Sequence, residues 1–266
     1  MTRFRPCIDL HSGQVKQIVG GTLGARPDGH SSTLQVNWTS HLPPAHYAAL
    51  YHQHDLHGGH VIMLGSGNEA AAEEALAAWP GQLQLGGGMT AENAMGWFER
   101  GAGKIVVTSY LFPGAKFSLQ RLEGLLVALG GDKQRLVIDL SCRRVERQGE
   151  NVWVVAMDRW ATLTETDVNG DTIGMLESYC CEFLVHAADV EGKCSGIDEE
   201  LVKKLGEWCS IPVTYAGGAR YLADLDLVET LSGGKVDLTI GSALDIFGGA
   251  GVSLEECVRW NQEHCL

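Results

Sequence analysis

Short apolar runs alternate with segments of helical periodicity along the whole chain of 266 residues. The runs are almost continuously apolar, which is typical of parallel strands that are buried on both faces. They predict strands at 5–10, 60–64, 83–85, 104–108, 136–140, 182–187, 212–216 and 236–240. Helices are predicted at 45–56, 69–79 and 116–129, from Thr90, and from near Thr166, Asp198, Tyr221 and Ser253. Eight strand-helix units predict an α/β fold, a closed (β/α)8 barrel.

Three patterns recur between the two halves of the chain. Asp9 and Asp139 each end an apolar run and are 139 − 9 = 130 residues apart. Gly87-Gly88 returns as Gly217-Gly218 at the same offset of 130. The run ending in Ser109 returns as the run ending in Ser242, 133 residues later. A duplication explains these repeats, so we expect one barrel domain built from half-barrels at roughly 1–131 and 132–266.

Length and charge narrow the possible functions. One α/β barrel of about 250 residues uses nearly the whole chain. The net charge is 20 − 33 = −13, which repels nucleic acid and anionic membranes, so we expect neither as a partner. Any phosphate must then be bound locally, by backbone amides and helix dipoles. We expect a monomer that acts on a small molecule.

The polar and basic start of the chain and the charge of Asp9 within the first apolar run argue against a signal peptide or a spanning segment. We therefore expect a cytoplasmic protein. Val15–Val19 could extend the first strand as a hairpin, and residues 20–44 form a long polar segment. A connection of that length is often a mobile lid over an active site.

Two carboxylates are predicted at the catalytic face of the barrel. Asp9 and Asp139 end strands one and five, which lie opposite each other in a ring of eight. Two carboxyl groups that face a central substrate can act as acid and base. Alternatively, each aspartate caps the following loop or pairs with a basic residue such as Lys16, Arg143 or Arg144.

Two glycine turns are predicted to bind phosphate. Gly86-Gly87-Gly88 precedes Thr90, a possible N-cap, and Gly217-Gly218 precedes the helix expected near Tyr221. Glycine lets the backbone approach an anion, and a helix N-terminus supplies donors. Thr108-Ser109 and Gly241-Ser242 follow the neighbouring strands and add hydroxyl and amide donors. Either turn alone could be merely a tight turn, but the pair predicts an elongated ligand with a phosphate at each end.

Several stretches resemble the phosphoribosyl isomerases of histidine biosynthesis, most closely the eukaryotic form. These stretches are Pro6–Leu10, Gly13–Gln17, Gly86–Gly88, His186–Gly192 and Asp237–Gly249, and the resemblance covers essentially the whole chain. It implies a cofactor-free barrel that converts a bisphosphorylated aminoaldose to an aminoketose by an Amadori rearrangement. The alternatives are the related cyclase subunit of imidazole glycerol phosphate synthase and a non-catalytic barrel that binds a bisphosphorylated metabolite.

The resemblance also implies roles for individual residues. Asp9 matches the base of the family, and Asp139 matches an aspartate that contacts and orients the substrate. The acid of bacterial members is an Asp followed by Gly, which corresponds to Glu191-Gly192 here, although Asp189 has the family's residue type. Trp160 matches a loop tryptophan that stacks on the aminoimidazole ring. Arg143 is a further predicted substrate contact.

The histidines His52, His54, His57 and His60 form a cluster that suggests zinc. The cluster spans the end of a helix and the start of a strand, at the predicted bottom of the barrel, and no neighbouring Cys completes it. We therefore predict no metal site there. His186, at the end of strand six, could approach the substrate.

Overall fold

The structure is a computed structural model that describes residues 1–22 and 34–264. Its strands are β1 (Phe4–Arg5), β2 (Cys7–His11), β3 (Gln14–Ile18), β4 (Val36–Thr39), β5 (His60–Met63), β6 (Gln84–Gly86), β7 (Lys104–Val107), β8 (Leu136–Asp139), β9 (Cys142–Arg147), β10 (Glu150–Met157), β11 (Thr162–Val168), β12 (Glu182–His186), β13 (Val213–Ala216) and β14 (Val236–Thr239). Its α-helices are α1 (Pro44–Gln53), α2 (Glu69–Ala78), α3 (Ala94–Glu99), α4 (Leu119–Ala128), α5 (Gly170–Leu176), α6 (Glu199–Trp208), α7 (Ala223–Ser232) and α8 (Leu254–His264).

The parallel strands close into a barrel. β1 and β2 act as one barrel strand interrupted at Pro6: β1 pairs with β14 and β2 pairs with β5, both in parallel. The ring continues through β6, β7, β8, β12 and β13 back to β14. Proline has no N–H to donate, and the Pro6 carbonyl still accepts a bond from the His60 amide at 3.1 Å. The predicted (β/α)8 barrel is confirmed. The division into half-barrels at residue 131 stays a prediction.

Apolar side chains fill both sides of the strand ring. Val106, Val137 and Leu184, with the half-buried Ile62, form one cluster, which is separate from the main core around the helices. The first residues of three strands close the bottom of the barrel with polar contacts. The buried Glu182 Oε2 accepts from Gln84 Nε2 at 2.9 Å and from Lys104 Nζ at 2.7 Å. The open end is therefore the C-terminal end of the strands.

Two antiparallel additions extend the C-terminal face. β3 folds back on β2 and pairs with β4, so the predicted hairpin is confirmed. β9, β10 and β11 form a three-stranded sheet between β8 and α5. The helix start predicted near Thr166 is wrong, because this residue lies in the strand Thr162–Val168, which pairs with β10. α5 begins at Gly170, after Asn169, whose Oδ1 accepts from the Thr172 amide at 2.9 Å.

Two other predicted helix starts shift. Thr90 does not cap a helix: its amide donates to Asn93 Oδ1 at 2.9 Å, and α3 begins only at Ala94. α7 likewise begins at Ala223, after the turn at Tyr221. Both glycine turns are thus followed by further loop residues, and no helix begins directly at either turn. Residues 23–33 of the predicted lid lie outside the described residues.

Within the described part of the chain, no helix has the length and apolar character needed to cross a membrane.

Candidate active site

Two cavities meet at the C-terminal face of the barrel. The larger has a volume of about 510 Å³ and the smaller about 20 Å³. Asp9, His186 and Glu191 line both cavities. The three side chains come from β2, from the end of β12 and from the loop that follows β12. Chain segments that are distant in sequence thus place two carboxyl groups and one imidazole at the junction of the cavities.

The first glycine turn lines the larger cavity. Gly87, Gly88, Thr108 and Ser109 all contribute to its wall. Gly87 has φ +95°, and a Cβ on it would collide with the Met63 carbonyl oxygen. Gly88 has φ +69° and no atom within 4 Å of where its Cβ would lie. The turn therefore requires glycine for its backbone, and it leaves open space directly beside Gly88.

The second turn lines the smaller cavity, together with the end of β14. Gly217, Gly218, Gly241 and Ser242 form this wall. Gly218 has φ +77°, and a Cβ on it would collide with the Gly196 carbonyl oxygen. The first turn follows β6 and the second follows β13, which are four strands apart in the ring of eight. The two predicted phosphate sites accordingly lie on opposite sides of the shared carboxyl groups.

The hairpin of β3 and β4 reaches Ser242 from outside the barrel ring. The Ser242 hydroxyl donates to Gln17 Oε1 at 3.3 Å and accepts from Asn37 Nδ2 at 3.1 Å. Asn37 Nδ2 also donates to the Gly192 carbonyl at 2.6 Å. These contacts connect the hairpin to the loop that carries Glu191. Asn37 was not a predicted site residue, because its neighbours in sequence carry no recognisable motif.

Asp9 and Glu191 share an environment that favours protonation. Burial raises the pKa of Asp9 to about 7, with the Glu191 charge adding to the increase and the His186 charge opposing it. Burial also raises the pKa of Glu191, again against the attraction of His186. Part of each side chain remains open to the cavity. A carboxyl group with a pKa near 7 is suited to exchange protons at neutral pH.

Asp139 has a different environment at the end of β8. Its Oδ1 accepts from the Ser141 amide at 2.7 Å and from the Ser141 hydroxyl at 2.8 Å, and its Oδ2 lies 3.5 Å from His186 Nδ1. Burial opposes ionisation of Asp139, but these contacts outweigh it and lower its pKa. Burial alone would lower the pKa of His186, yet Asp139, followed by Glu191 and Asp9, raises it to about 9. Asp139 and His186 therefore form an ion pair.

The two candidate acids differ in position. Glu191 lines both cavities, whereas Asp189 lines neither. Asp189 Oδ2 accepts from the Arg144 amide at 2.7 Å, and its Oδ1 lies 3.3 Å from Arg143 Nε. Asp189 thus holds the start of β9 against the loop after β12. Arg143, predicted to contact the substrate, faces Asp189 and is not part of either cavity wall.

Trp160 lines the larger cavity, with its ring centroid 5.8 Å from that of His186. It ends a left-handed turn in which Asp158, Arg159 and Trp160 have φ values of +52°, +60° and +61°. The Asp158 amide donates to Ser109 Oγ at 3.2 Å. A non-glycine residue in the left-handed region of backbone conformation costs roughly 1–2 kcal/mol, and this turn contains three of them in succession. The surrounding contacts hold a strained turn that directs Trp160 into the cavity.

Gly20 was not predicted to belong to the site, although it opens the segment that was noted as a possible lid. Its amide donates to the Glu191 carbonyl at 3.1 Å. A Cβ on Gly20 would lie 2.8 Å from the Glu191 Cβ and 2.9 Å from Trp160 Cζ3. The missing side chain leaves room for Glu191 and Trp160, which both pack against this position. A single glycine in a glycine-rich segment carries no sequence signal of this role.

The placement of His60 corrects one prediction. His60 begins β5 and was assigned to the bottom of the barrel, but its buried ring lines the smaller cavity and lies 5.8 Å from the His186 ring. Burial, followed by the His186 charge, lowers its pKa to about 3, so it is neutral. His52 and His57, at and after the C-terminal end of α1, instead contact Trp79. No group of three metal-binding side chains is found among residues 1–22 and 34–264.

The fold and site define an α/β barrel protein whose paired carboxyl groups lie between two glycine turns at the C-terminal face of the strands. Residues 3–249 match the family model described as histidine biosynthesis protein. The chain belongs to that family.

Three relatives illustrate the similarity. Each is named as an isomerase of an imidazole carboxamide that carries one phosphoribosyl group on the ring and a second, as phosphoribosylamino, on a methylideneamino substituent. The protein of Neurospora crassa is 63% identical over 98% of this chain and 99% of its own. That of Saccharomyces cerevisiae is 50% identical over 99% of both chains. The chloroplastic protein of Medicago truncatula is 46% identical over 98% of this chain and 82% of its own.

Proposed function

We propose that the chain is an aldose-ketose isomerase of histidine biosynthesis that acts on phosphoribosylformimino-aminoimidazole carboxamide ribotide. One observation carries the proposal: Asp9 and Glu191 lie where two cavities meet, and each cavity is lined by a glycine turn. Relatives similar over nearly the full chain are named for this substrate and for isomerisation. The reaction is an Amadori rearrangement, which a general acid and a general base can catalyse without a cofactor.

The substrate has a phosphate at each end, which suits the two turns. We propose that one phosphate binds near Gly87, Gly88, Thr108 and Ser109, and the other near Gly217, Gly218, Gly241 and Ser242. Backbone amides and hydroxyl groups supply neutral donors there. Local donors are needed because the whole protein carries a net charge of −13. The reacting ribose then lies between the turns, beside Asp9 and Glu191.

The proposed mechanism uses one proton donor and one proton acceptor. Glu191 protonates the ribose ring oxygen, the ring opens, and the nitrogen lone pair forms an iminium bond to C1′. Asp9 then removes the C2′ proton. The electron pair of the broken C–H bond forms the C1′=C2′ double bond, the iminium electrons return to the nitrogen, and the neutral enolamine results. Tautomerisation moves the hydroxyl proton to C1′ and yields the ketose. The raised pKa of both carboxyl groups supports this exchange near neutral pH.

We propose Glu191 rather than Asp189 as the acid. Glu191 lines both cavities, and Asp189 is engaged by Arg143 and by the Arg144 amide away from them. The same contacts lead us to withdraw Arg143 as a substrate contact. Asp139 is proposed to orient the catalytic centre at Asp9 and Glu191 through its ion pair with His186. Trp160 is proposed to stack on the aminoimidazole ring, because its ring lines the larger cavity.

The experiment is conversion of the aminoaldose to its ketose by the purified protein in the presence of a chelator. Asp9→Asn, Glu191→Gln and Asp189→Asn are compared with the wild type. We expect turnover in the wild type and in Asp189→Asn, and its loss in the other two variants. Loss in Asp189→Asn with retention in Glu191→Gln would reverse the assignment of the acid.

Absence of turnover in the wild type would reject the proposal. The related cyclase activity is then tested with ammonia and the ketose. Tight binding of the aminoaldose without either reaction would indicate a barrel that only binds the metabolite.

We further propose that the protein works in the cytoplasm. Five of its cysteines, Cys7, Cys142, Cys180, Cys209 and Cys257, are buried free thiols, as is usual in a reducing compartment. The Medicago relative is named as chloroplastic, so fluorescence of the tagged full-length protein in cells is the direct test.

We also propose a monomer. The large apolar side chains that are exposed are spread over many parts of the chain, such as Leu42, Val127, Leu163 and Tyr221, and scattered exposure of this kind is normal for a monomer. Light scattering of the purified protein gives the mass, and a dimer mass would reject the proposal.

A further inference from the structure

His186 occupies the junction of the two cavities, and three neighbours hold its ring. Nδ1 lies 3.5 Å from Asp139 Oδ2. The ring meets that of His60 edge-on at 5.8 Å, and it lies 5.8 Å from the ring of Trp160 at an angle of 41°. Nδ1 is enclosed, and among the described residues the Asp139 carboxylate is the group that faces it. The ring is therefore fixed by packing and by one carboxylate.

The titratable groups around His186 come from four segments. Asp139 belongs to β8, Asp9 to β2 and Glu191 to the loop after β12, and these three carboxyl groups together raise the pKa of His186 to about 9 against the effect of burial. His60, on β5, has a pKa lowered to about 3 by burial and by His186, and it adds no charge. At neutral pH one imidazolium thus faces three carboxyl groups.

The proposed reaction makes a specific demand on these groups. It needs one proton on the acid and none on the base, so the Asp9–Glu191 pair must hold one proton. Two neighbouring carboxyl groups titrate as a pair, and burial favours the state with two protons. A substrate with two phosphates adds negative charge and favours that state further. A compensating positive charge is needed for a free base to persist at neutral pH.

We infer that His186 is a positioning residue whose imidazolium, anchored by Asp139, keeps the Asp9–Glu191 pair at a single shared proton near neutral pH. This inference rests on the proposed function, because it explains how an acid and a base coexist in one cavity. Asp139 balances the charge of His186, and Ser141 hydrogen-bonds Asp139. Asp139 can therefore stay ionised, which leaves the Asp9–Glu191 pair to take up the proton.

The kinetic test compares the pH dependence of kcat/KM in the wild type, His186→Gln and His186→Lys. The acidic limb of this profile reports the ionisation of the free enzyme. Removing a cation next to a carboxylate raises the carboxyl pKa by roughly one unit or more. We expect the acidic limb to move to higher pH by about that amount in His186→Gln. In His186→Lys, which restores a positive charge, the limb should return toward its wild-type position.

His52→Gln is the matched control, because His52 packs on Trp79 and lines neither cavity. Its profile should coincide with that of the wild type. A uniform loss of activity in His186→Gln at every pH, with the limb unmoved, would indicate a merely structural role and overturn the inference.

A second measurement uses the wild-type protein and requires neither turnover nor a variant. Nitrogen chemical shifts of labelled histidine rings distinguish imidazolium from neutral imidazole, and contact with Trp160 identifies the His186 ring. We expect His186 to remain protonated from pH 6 to pH 8 and to lose its proton near the pKa of about 9. A neutral His186 at pH 7 rejects the inference even if the isomerase activity is present. Absence of wild-type turnover rejects the proposed function separately.

Discussion

The Asp139 carboxylate lies 3.5 Å from His186 Nδ1, and this ion pair joins the C-terminal ends of the neighbouring strands β8 and β12. Both residues are buried, with 8% of each exposed. Ser141 supplies two further hydrogen bonds to the carboxylate. A buried charge that loses its partner is strongly unfavourable. Removing one member of the pair should therefore lower the free energy of unfolding.

Asp139→Asn should lower the free energy of unfolding by about 3 kcal/mol at pH 6. The pKa of His186 is raised from 6.5 to about 9, so its contribution is fully present below pH 6.5 and is lost as the pH rises through about 9. The pKa of Asp139 is lowered, so its contribution disappears as the pH falls below the ordinary range of a carboxyl group. Urea unfolding at pH 6, 8 and 10 checks this. A difference that stays constant from pH 6 to pH 10 would contradict it.

Asp9→Asn should lose activity and gain stability. Proton abstraction is the difficult step, so turnover should fall on the order of 10³-fold or more while substrate binding is retained. The pKa of Asp9 is raised from 3.8 to about 7, so ionisation destabilises the fold as the pH rises through that interval. The variant should be more stable than the wild type above pH 7 by a few kcal/mol at most. Solvent in the cavity reduces this gain.

The stability gain of Asp9→Asn should shrink toward pH 4, because Asp9 is protonated there. Thermal unfolding across this range, together with single-turnover kinetics, measures both effects. Near-normal turnover would reject the role of Asp9 as the base, whatever the stability.

Gly87→Ala and Gly88→Ala form a matched pair in one turn. A Cβ on Gly87 collides with the Met63 carbonyl, whereas a Cβ on Gly88 meets open cavity. Both have positive φ, which costs alanine roughly 1–2 kcal/mol. Gly87→Ala should therefore be clearly the less stable. Gly88→Ala should fold and show a raised KM, because its methyl group enters the proposed phosphate site.

Denaturant titration measures the stability of these two glycine variants. Binding of inorganic phosphate to the free protein tests whether the first glycine turn is a phosphate site. If Gly88→Ala binds phosphate and substrate like the wild type, the first turn is not a phosphate site.

Trp160→Ala should raise the KM for the substrate, and Trp160→Phe should restore much of the affinity. A flat aromatic ring can stack on the aminoimidazole, and such contacts contribute about 0.5–1.5 kcal/mol beyond the buried area, or roughly two- to tenfold in affinity. Steady-state kinetics of both variants measures the effect. Equal KM values in the alanine variant and the wild type would assign Trp160 to packing alone.

The barrel and much of its site could be predicted because their signals are local. Parallel strands such as β5, β8 and β12 are buried on both faces and therefore appear as apolar runs. Gly87 and Gly218 could be found because a turn with positive φ and a close backbone approach demands glycine. The errors also have local causes: the sequence predicts a helix start near Thr166, but this residue lies in Thr162–Val168, which pairs with β10. Thr90 has a capping residue type but no helix directly after it.

By itself, the sequence determined the fold class, the order of the eight barrel strands and the helices that follow them, and the two aspartates and two glycine turns at the strand ends, but not the three-stranded sheet of β9, β10 and β11. Apolar periodicity and turn chemistry depend on neighbouring residues, so they are visible in the chain. Only the tertiary structure separated Glu191, in the cavities, from Asp189, which pairs with Arg143 just two positions away. Only barrel closure brought His186 against Asp139 and beside Asp9, because contacts between distant segments and the resulting pKa shifts exist only when the ring of strands is complete.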